Sequence, residues 1–586
     1  LSYSVDEGRY GASQVNYVTK SGTNQFHGNI YEIWNGAALN AADYFTNATP
    51  GNQKPQSRVN HFGGSLGGPI VHDKLFFFAD FEWMRLALPI VTPATVPTPA
   101  FQRYVLQQLP LGGIDSVTGS SYPAAPQLVP FYQKMFSLYG NTSGTPLAVF
   151  GCPFNAQGLA VAGSPPGNPP NGDGCANRQV SSHTSNDHEQ VQTVRLDYNI
   201  DADNTAWFRF QADTGLQAQY TDPINPLFNS ISSQPQYSFG AGYTHVFWQN
   251  LVNYFNPGFT WYESLFGPSN YLQTLAAFPI VMEGQGANAP FTNIGGLDNT
   301  WIQGRRASRF FINDNLVWTR GAHELRLGTN MRILRLNDYD FGEGNVPTVT
   351  YATLPQFIHG VASTALETFP VSQNQPFNFL NLDFYVEDTW KVTPKLTWTI
   401  GIRDSFNSNP ANPHAEVARL NGSFDAIPHD VNQPLNAAIH SALNNLFAST
   451  PLAILQPRTA IAWQFAPHSV LRTGFGLFGD ILPGSVADVI GMNPPYVKTF
   501  QGGLLGTVGG EAIAPGVPNS AVDAAVAANQ AFSSGFARGE LSCASSQASP
   551  AACLQPVALT AVPDGTLHPP YFMEWSFGIE HQFGNT

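Results

Sequence analysis

The chain has 586 residues, of which 11% are charged and 13% aromatic, with 54 glycines and 46 prolines, whereas ordinary soluble domains carry roughly 25% charge. That argues against a helical enzyme, while 42 Phe, 21 Tyr and 11 Trp supply far more apolar mass than a disordered chain carries. A net charge of −14 excludes the broad cationic footprint of a nucleic-acid binder, and no window approaches the ~18 consecutive apolar residues of a spanning helix, which leaves β-barrels untouched because their apolar surface occupies alternate residues.

Read for period two, the chain breaks into about fourteen alternating runs of the length a tilted membrane strand needs. In chain order they are 26–36, 60–70, 74–86, 190–200, 205–214, 237–247, 251–266, 307–319, 323–336, 379–391, 395–407, 457–466, 469–480 and 570–583. Six junctions are tight: Val71–Lys74, Asp201–Asn204, Trp248–Asn250, Arg320–Ala322, Val392–Pro394 and Ala466–His468, with the Gly, Asp, Asn and Pro chemistry of hairpin turns. The other connections, 37–59, 87–189, 215–236, 267–306, 337–378, 408–456 and 481–569, are long. Within them Leu435, Ile439, Leu443 and Leu446 stand at helical spacing and predict a short helix. Alternation of short and long connections puts all short turns at one end and all long loops at the other, as in an antiparallel transmembrane β-barrel.

The strand faces agree. Leu396, Trp398, Ile400 and Ile402 alternate with Thr397, Thr399, Gly401 and Arg403, and Leu325, Leu327, Met331 and Ile333 alternate with Glu324, Arg326, Asn330 and Arg332. One face suits lipid and the other a wet lumen, although half-buried soluble sheets alternate too. Trp207, Trp248, Trp318, Trp390, Trp398 and Trp463 lie near short turns, as in an aromatic girdle. Asp314 and Asp388 break the pattern by falling on the lipid face, and Asp314 predicts a bulge or a shifted register.

Four cysteines form two local pairs, Cys152 with Cys175 and Cys543 with Cys553, in loop-like surroundings. They are candidate disulfides, with three connectivities open. Gly63-Gly64-Ser65-Leu66-Gly67 matches a nucleophile-elbow pattern, but Pro69, a turn and a strand follow it instead of a helix. His183, Asp187, His188 and Glu189 read as a solvated loop end, since they lack a metal-ligand spacing. Asp80 and Glu82 share one strand face and read as luminal lining more readily than as a glycosidase pair. No enzymatic activity and no cofactor are expected.

Residues 15–28, VNYVTKSGTNQFHG, followed by IYEIWNGAALNAADYF, resemble the junction at which the plug of a TonB-dependent outer-membrane transporter leaves the lumen and the first barrel strand begins. The run HFGGSLGGPIVHDKLFFFADFEWMR at 61–85 resembles the second and third strands in the Oar-like branch of that family. Weaker likenesses are RLDYNIDADNTAWFRF, NDNLVWTRGAHELRLGTN and FYVEDTWKVTPKLTWTIGIR. Asn35-Gly36-Ala37-Ala38 departs from the charged stretch expected after the first strand.

The resemblance implies an all-β barrel of about 22 strands, of which about fourteen are present, with short periplasmic turns and long extracellular loops. It divides the chain into the C-terminal end of a plug at 1–24 and a partial barrel at 25–586, with Lys20, Ser21, Gly22, Thr23 and Asn24 as the hinge. Asp80, Glu82, Arg195, Asp197, Arg209, Arg326, Arg332, Asp383, Glu387, Arg403 and Arg472 become candidates for plug docking or the translocation path. It further implies the outer membrane of a Gram-negative-type bacterium, contact with outer-membrane lipid, a TonB-type periplasmic energising complex, and an unknown extracellular ligand such as an oligosaccharide, peptide or metal chelate. The alternatives are an adhesion or secretion-assisting barrel and a secreted soluble carbohydrate-binding β-protein.

Overall fold

The computed structural model describes residues 4–6, 17–42, 44, 54, 57–115, 118–161, 170–286, 288–297, 301–339, 346, 348–369, 374–428, 438–491, 493, 496, 498–502, 511–512 and 565–584. Fourteen strands follow one another in a single antiparallel meander. They are β1 (His27–Gly36), β2 (Arg58–Val71), β3 (Leu75–Pro97), β4 (Asn171–Asn199), β5 (Asn204–Tyr220), β6 (Gln236–Trp248), β7 (Leu251–Pro268), β8 (Gln303–Arg320), β9 (His323–Asp338), β10 (Gln375–Thr393), β11 (Leu396–Asn407), β12 (Leu455–Ala466), β13 (Ser469–Gly479) and β14 (Tyr571–His581). Each alternating run of the sequence is one of these strands, and the six tight junctions are the turns at one end.

The two faces separate as the alternation predicts. Ile400, Ile402, Phe384 and Phe310 are exposed on the outer wall, whereas Asp383, Glu387 and Arg403 point inward and are buried. Ile400 stands five residues above the turn that opens β11, near the middle of an apolar band about 25 Å tall. Ile400→Arg is therefore expected to impair membrane assembly by about 2–4 kcal/mol while Thr399→Arg is tolerated. Folded yield in detergent and lipid checks this, and equal effects at the two positions would contradict the face assignment.

Two expectations about the wall are corrected. Asp314 sits in a continuous register, from Leu251 opposite Trp318 to Phe266 opposite Gln303, so no bulge carries it. Its carboxylate instead accepts the Asn253 amide at 2.7 Å on the same face, and Asp388 lies 2.7 Å from His323. Trp207 is not part of an outer girdle. It pairs in register with luminal Asp197, lies under the Arg195 guanidinium at 5.1 Å, and fills the space a side chain at Gly242 would need. The other five tryptophans keep the outer face, Trp248 through an irregularity between Val246 and Trp248.

The connection expected at 87–189 is partly sheet. β3 and β4 stay paired from Leu75 opposite Tyr198 to Pro97 opposite Ala176, so His183, Asp187, His188 and Glu189 lie on a strand instead of a loop end. The prolines of β3 obscured this. Pro89, Pro93 and Pro97 share one parity, so their missing N–H groups fall along one edge, and β2 has left that edge beyond Ala87. The helix expected around Leu435–Leu446 is also absent: Ile439–Leu443 is a strand paired with Val417–Leu420, and Leu435 lies outside the described residues.

Above the wall, four inter-strand segments fold into one cap with its own apolar core. Its helices are α1 (Pro99–Gln108), α2 (Val129–Ser137), α3 (Tyr271–Ala277) and α4 (Leu354–His359). Thr98 caps α1 by accepting the Phe101 N–H at 3.0 Å and donates to the Gly174 carbonyl at 2.6 Å, tying the helix to β4. α4 starts with a capping box of Thr353 and Gln356 and ends at Gly360 in the left-handed region, φ 68°. Every residue of α4 is buried, with Phe357 against Phe101, Phe291, Tyr132 and Tyr351. A disulfide joins Cys152 to Cys175 at the base of this core. Cys543 and Cys553 lie outside the described residues.

The cap contains an acid-sensitive joint. Buried Asp115 accepts hydrogen bonds from Tyr122 at 2.8 Å and Thr353 at 3.0 Å, and His359 packs beside them, 5.6 Å from the Tyr122 ring. Burial holds the His359 imidazole below its ordinary 6.5, with the Asp115 carboxylate opposing more weakly. The unfolded cap thus binds more protons just below pH 6.5, and stability rises with pH through that window. The cap is expected to be firm above about pH 6.5 and to loosen as pH falls below it. Hydrogen exchange at α4 at neutral and acidic pH measures this, and His359→Phe is expected to flatten the dependence.

Candidate functional site

At the lower end of the lumen the chain enters the wall through residues 17–25. The Asn24 amide donates to Asp73 at 2.6 Å, and the Asp73 N–H returns a bond to Asn24 at 2.8 Å. The first strand is thereby fastened to the β2–β3 turn, where Asp73 itself has φ 62°. Gly22 is dictated by close approach: a Cβ there would meet the Phe77 carbonyl at 2.3 Å and the Gly68 carbonyl at 2.8 Å. The Thr23 hydroxyl donates to the Gln25 carbonyl at 3.0 Å. Lys20 and Ser21 join Gly22, Thr23, His27 and Phe78 around a cavity of about 500 Å³.

Higher in the lumen, residues 4–6 sit in a socket built by four neighbouring strands. Glu387 of β10 accepts the Val5 N–H at 2.8 Å and the Ser4 hydroxyl at 2.9 Å. Arg403 of β11 donates to the Val5 carbonyl at 2.8 Å, and Arg458 of β12 to the Ser4 carbonyl at 2.6 Å. Arg326 of β9 pairs with Asp6 at 3.3 Å and with its neighbour Glu324 at 3.0 Å.

Arg403 is the centre of the socket. Its guanidinium also holds Asp383 and Asn330, each at 2.6 Å, and lies 5.3 Å from the Tyr385 ring. Asp383 is fully buried and Arg403 nearly so, so their charges are compensated inside the wall, as buried ions require. The strands bring these groups together because Asp383, Tyr385 and Glu387 alternate on one face of β10, while Arg403 and Arg458 occupy the same face one and two strands along.

Of the residues expected to line the lumen, Arg326, Asp383, Glu387 and Arg403 meet in this socket. A second group is Arg195, which binds Asp197 at 2.7 Å and Thr19 of the exit segment at 2.8 Å. A third is Glu82, which faces His61 at 3.2 Å, with Tyr31 3.3 Å beyond. Asp80 lies beside Glu82 on that face of β3. Arg209 is opposite Arg195 in register, with its Nε buried and without a hydrogen-bond partner. Arg332 shares the socket's face but makes no bond to residues 4–6 among the described residues. Arg472 pairs at 3.0 Å with Glu580 in an exposed position near the sheet edge. The expected lining is thus several local clusters.

Sequence reasoning missed Ser4, Val5, Asp6, Asn330, Tyr385 and Arg458. Arg458 carried a usable signal, since its parity in β12 is opposite to that of outward-facing Ile461 and Trp463. Chemically the socket grips peptide backbone through cationic donors and one carboxylate. Among the described residues no group of three or more His, Cys, Asp or Glu side chains could hold a metal.

An antiparallel wall with an apolar exterior, a charged interior and turns gathered at one end defines an outer-membrane β-barrel. Residues 18–586 match the family model of the outer membrane beta barrel domain, and the chain belongs to that family. Over 84 residues it is 38% identical to the TonB-dependent transporter Oar of Myxococcus xanthus, a match covering 14% of this chain and 8% of that protein. Among solved structures it is similar to the siderophore receptor PirA from Acinetobacter baumannii, with TM-score 0.38 and 9% identity, covering 79% of this chain and 44% of that one. The outer-membrane transporter YddB from Escherichia coli gives TM-score 0.38 and 8% identity, covering 78% of this chain and 52% of that one. The chain therefore spans about half the length of these solved structures, and the stretch matched to Oar covers under a tenth of that protein. The protein resides in the outer membrane of a Gram-negative bacterium.

Proposed function

We propose that the protein is a TonB-dependent receptor and transporter that takes up a scarce solute, an oligosaccharide, peptide or metal chelate, using energy supplied through a periplasmic TonB-type complex. In this reading residues 1–24 end a plug, residues 20–24 are its hinge, and the remainder forms barrel wall and loops. The observation that carries it is the socket: Glu387, Arg403 and Arg458 hold the backbone of Ser4 and Val5 inside the lumen. A wall that grips a segment of its own chain through a handful of polar bonds suits a gate that is pulled open and closes again. No enzymatic step is part of the proposal.

The test is uptake by cells expressing the intact gene product, with a panel of labelled oligosaccharides, peptides and metal chelates, with and without a functional energising complex. Accumulation of one class that disappears when the complex is removed supports the proposal. Binding of a ligand at the surface with no energised uptake would point instead to adhesion.

A further inference from the structure

The outer wall carries a second polar feature that transport does not use. Across β2, β3 and β4 the register aligns outward-facing residues in rungs: Phe62, Trp83 and Gln190 in one, Asn60, Arg85 and His188 in the next, and Arg58, Ala87 and Asn186 above. Arg58, Arg85, Asn186 and His188 are all exposed. They border a groove of about 500 Å³. Below them Phe62, Trp83 and Phe81 stack at 5.7 and 6.3 Å, and the Arg85 guanidinium lies 5.9 Å from the Phe62 ring.

The height of this group decides what it meets. Arg85 is ten residues beyond Leu75, the first residue after the turn. At ~3.3 Å per residue and ~40° tilt, that is about 25 Å up the wall, the full height of the apolar band. The stacked aromatics then mark the upper interface of the membrane, and Arg85 and Arg58 stand one and two rungs above them, at the level of the outer-leaflet headgroups. Among the described residues neither arginine forms an ion pair. Glu32, the outward carboxylate of β1, is on the Phe62 rung below them. By contrast, outward Arg306 is bonded to Glu263.

We propose that the groove between Arg58, Arg85 and His188 is a binding site for the phosphate of a phosphorylated glycolipid in the outer leaflet. Guanidinium groups pair with phosphate oxygens through parallel, charge-assisted hydrogen bonds. Asn60 and Asn186 add neutral donors for the adjoining sugar, and the aromatic shelf beneath receives the start of the acyl chains. The site is independent of the lumen and of any cargo.

The test uses the intact protein purified in detergent, with bisphosphorylated lipid A as the probe and native mass spectrometry as the readout. Wild type is expected to retain the lipid, and the Arg58→Gln/Arg85→Gln variant to lose roughly tenfold or more of the bound fraction. Dephosphorylated lipid A is expected to bind no better to wild type than to that variant, and Arg306→Gln to bind as wild type. Heat-modifiable migration on gels confirms that each variant is folded. Equal retention by wild type and the double variant overturns the proposal, as does equal binding of the dephosphorylated lipid. Displacement of the lipid by an equimolar amount of inorganic phosphate would also overturn it, by making this a soluble-anion site.

Discussion

Arg403→Met is expected to release residues 4–6 from the lumen and to destabilise the protein by about 3–5 kcal/mol, the range for removing one partner of a buried ion pair. The substitution keeps a long apolar stem but removes the donors to Val5, Asn330 and Asp383. Asp383, fully buried, would lose its cationic partner without gaining water. Two readouts separate the consequences: denaturant unfolding for the wall, and protease access to the N-terminal segment for the docking. Adding Asp383→Leu to Arg403→Met is expected to recover much of the wall stability, because no isolated charge remains, while the segment stays released. A single variant as stable and as protected as wild type would remove Arg403 from the centre of the site.

Phe357→Ala is the second large expected effect, at about 3–5 kcal/mol for an aromatic ring deleted from a core, and it should fall on the cap alone. Phe357 is buried between rings from two other cap segments, Phe101 and Tyr132 from one and Phe291 from the other, and its carbonyl accepts the Tyr132 hydroxyl at 2.5 Å. Limited proteolysis is expected to cut within the cap of the variant while the wall keeps its resistance to heat and detergent. If wall and cap failed together, the cap core would be continuous with the barrel and not a unit of its own.

The wall was legible in the sequence because membrane strands write their two faces into every second residue, and the hairpin turns left Gly, Asn, Asp and Pro at fixed places. Periodicity failed where the partner changed. The upper halves of β3 and β4 contain three prolines and many small polar residues, and only the one-sided placement of Pro89, Pro93 and Pro97 reconciles them with a strand. Ile439 and Leu443, read as one turn of helix, belong to a short strand because Val417–Leu420 offers it a partner. The cap was illegible for a related reason: its core joins residues from 94 to 362, and no local window contains both Phe101 and Phe357.

The site was half legible. Parity alone put Asp383, Glu387 and Arg403 on the luminal face, yet parity cannot say which luminal charges meet, since that depends on register between strands distant in the chain. Arg195 shows the same limit: it was read as lining, and its bond to Thr19 depends on where the exit segment passes. Ser4, Val5 and Asp6 have no special chemistry, and only the wall around them gives them a role.

The most direct test of the account is a cross-link inside the lumen. A Cβ added at Gly401 would lie 2.8 Å from the Val5 side chain, so Val5→Cys and Gly401→Cys together place two thiols face to face. The intact double variant should be found in the outer-membrane fraction, form an intramolecular disulfide on mild oxidation, and lose energised uptake until a reductant restores it. Absence of the cross-link in folded, membrane-inserted protein would contradict the docking of this segment in the lumen, and uptake undiminished by a formed cross-link would contradict its role as a gate.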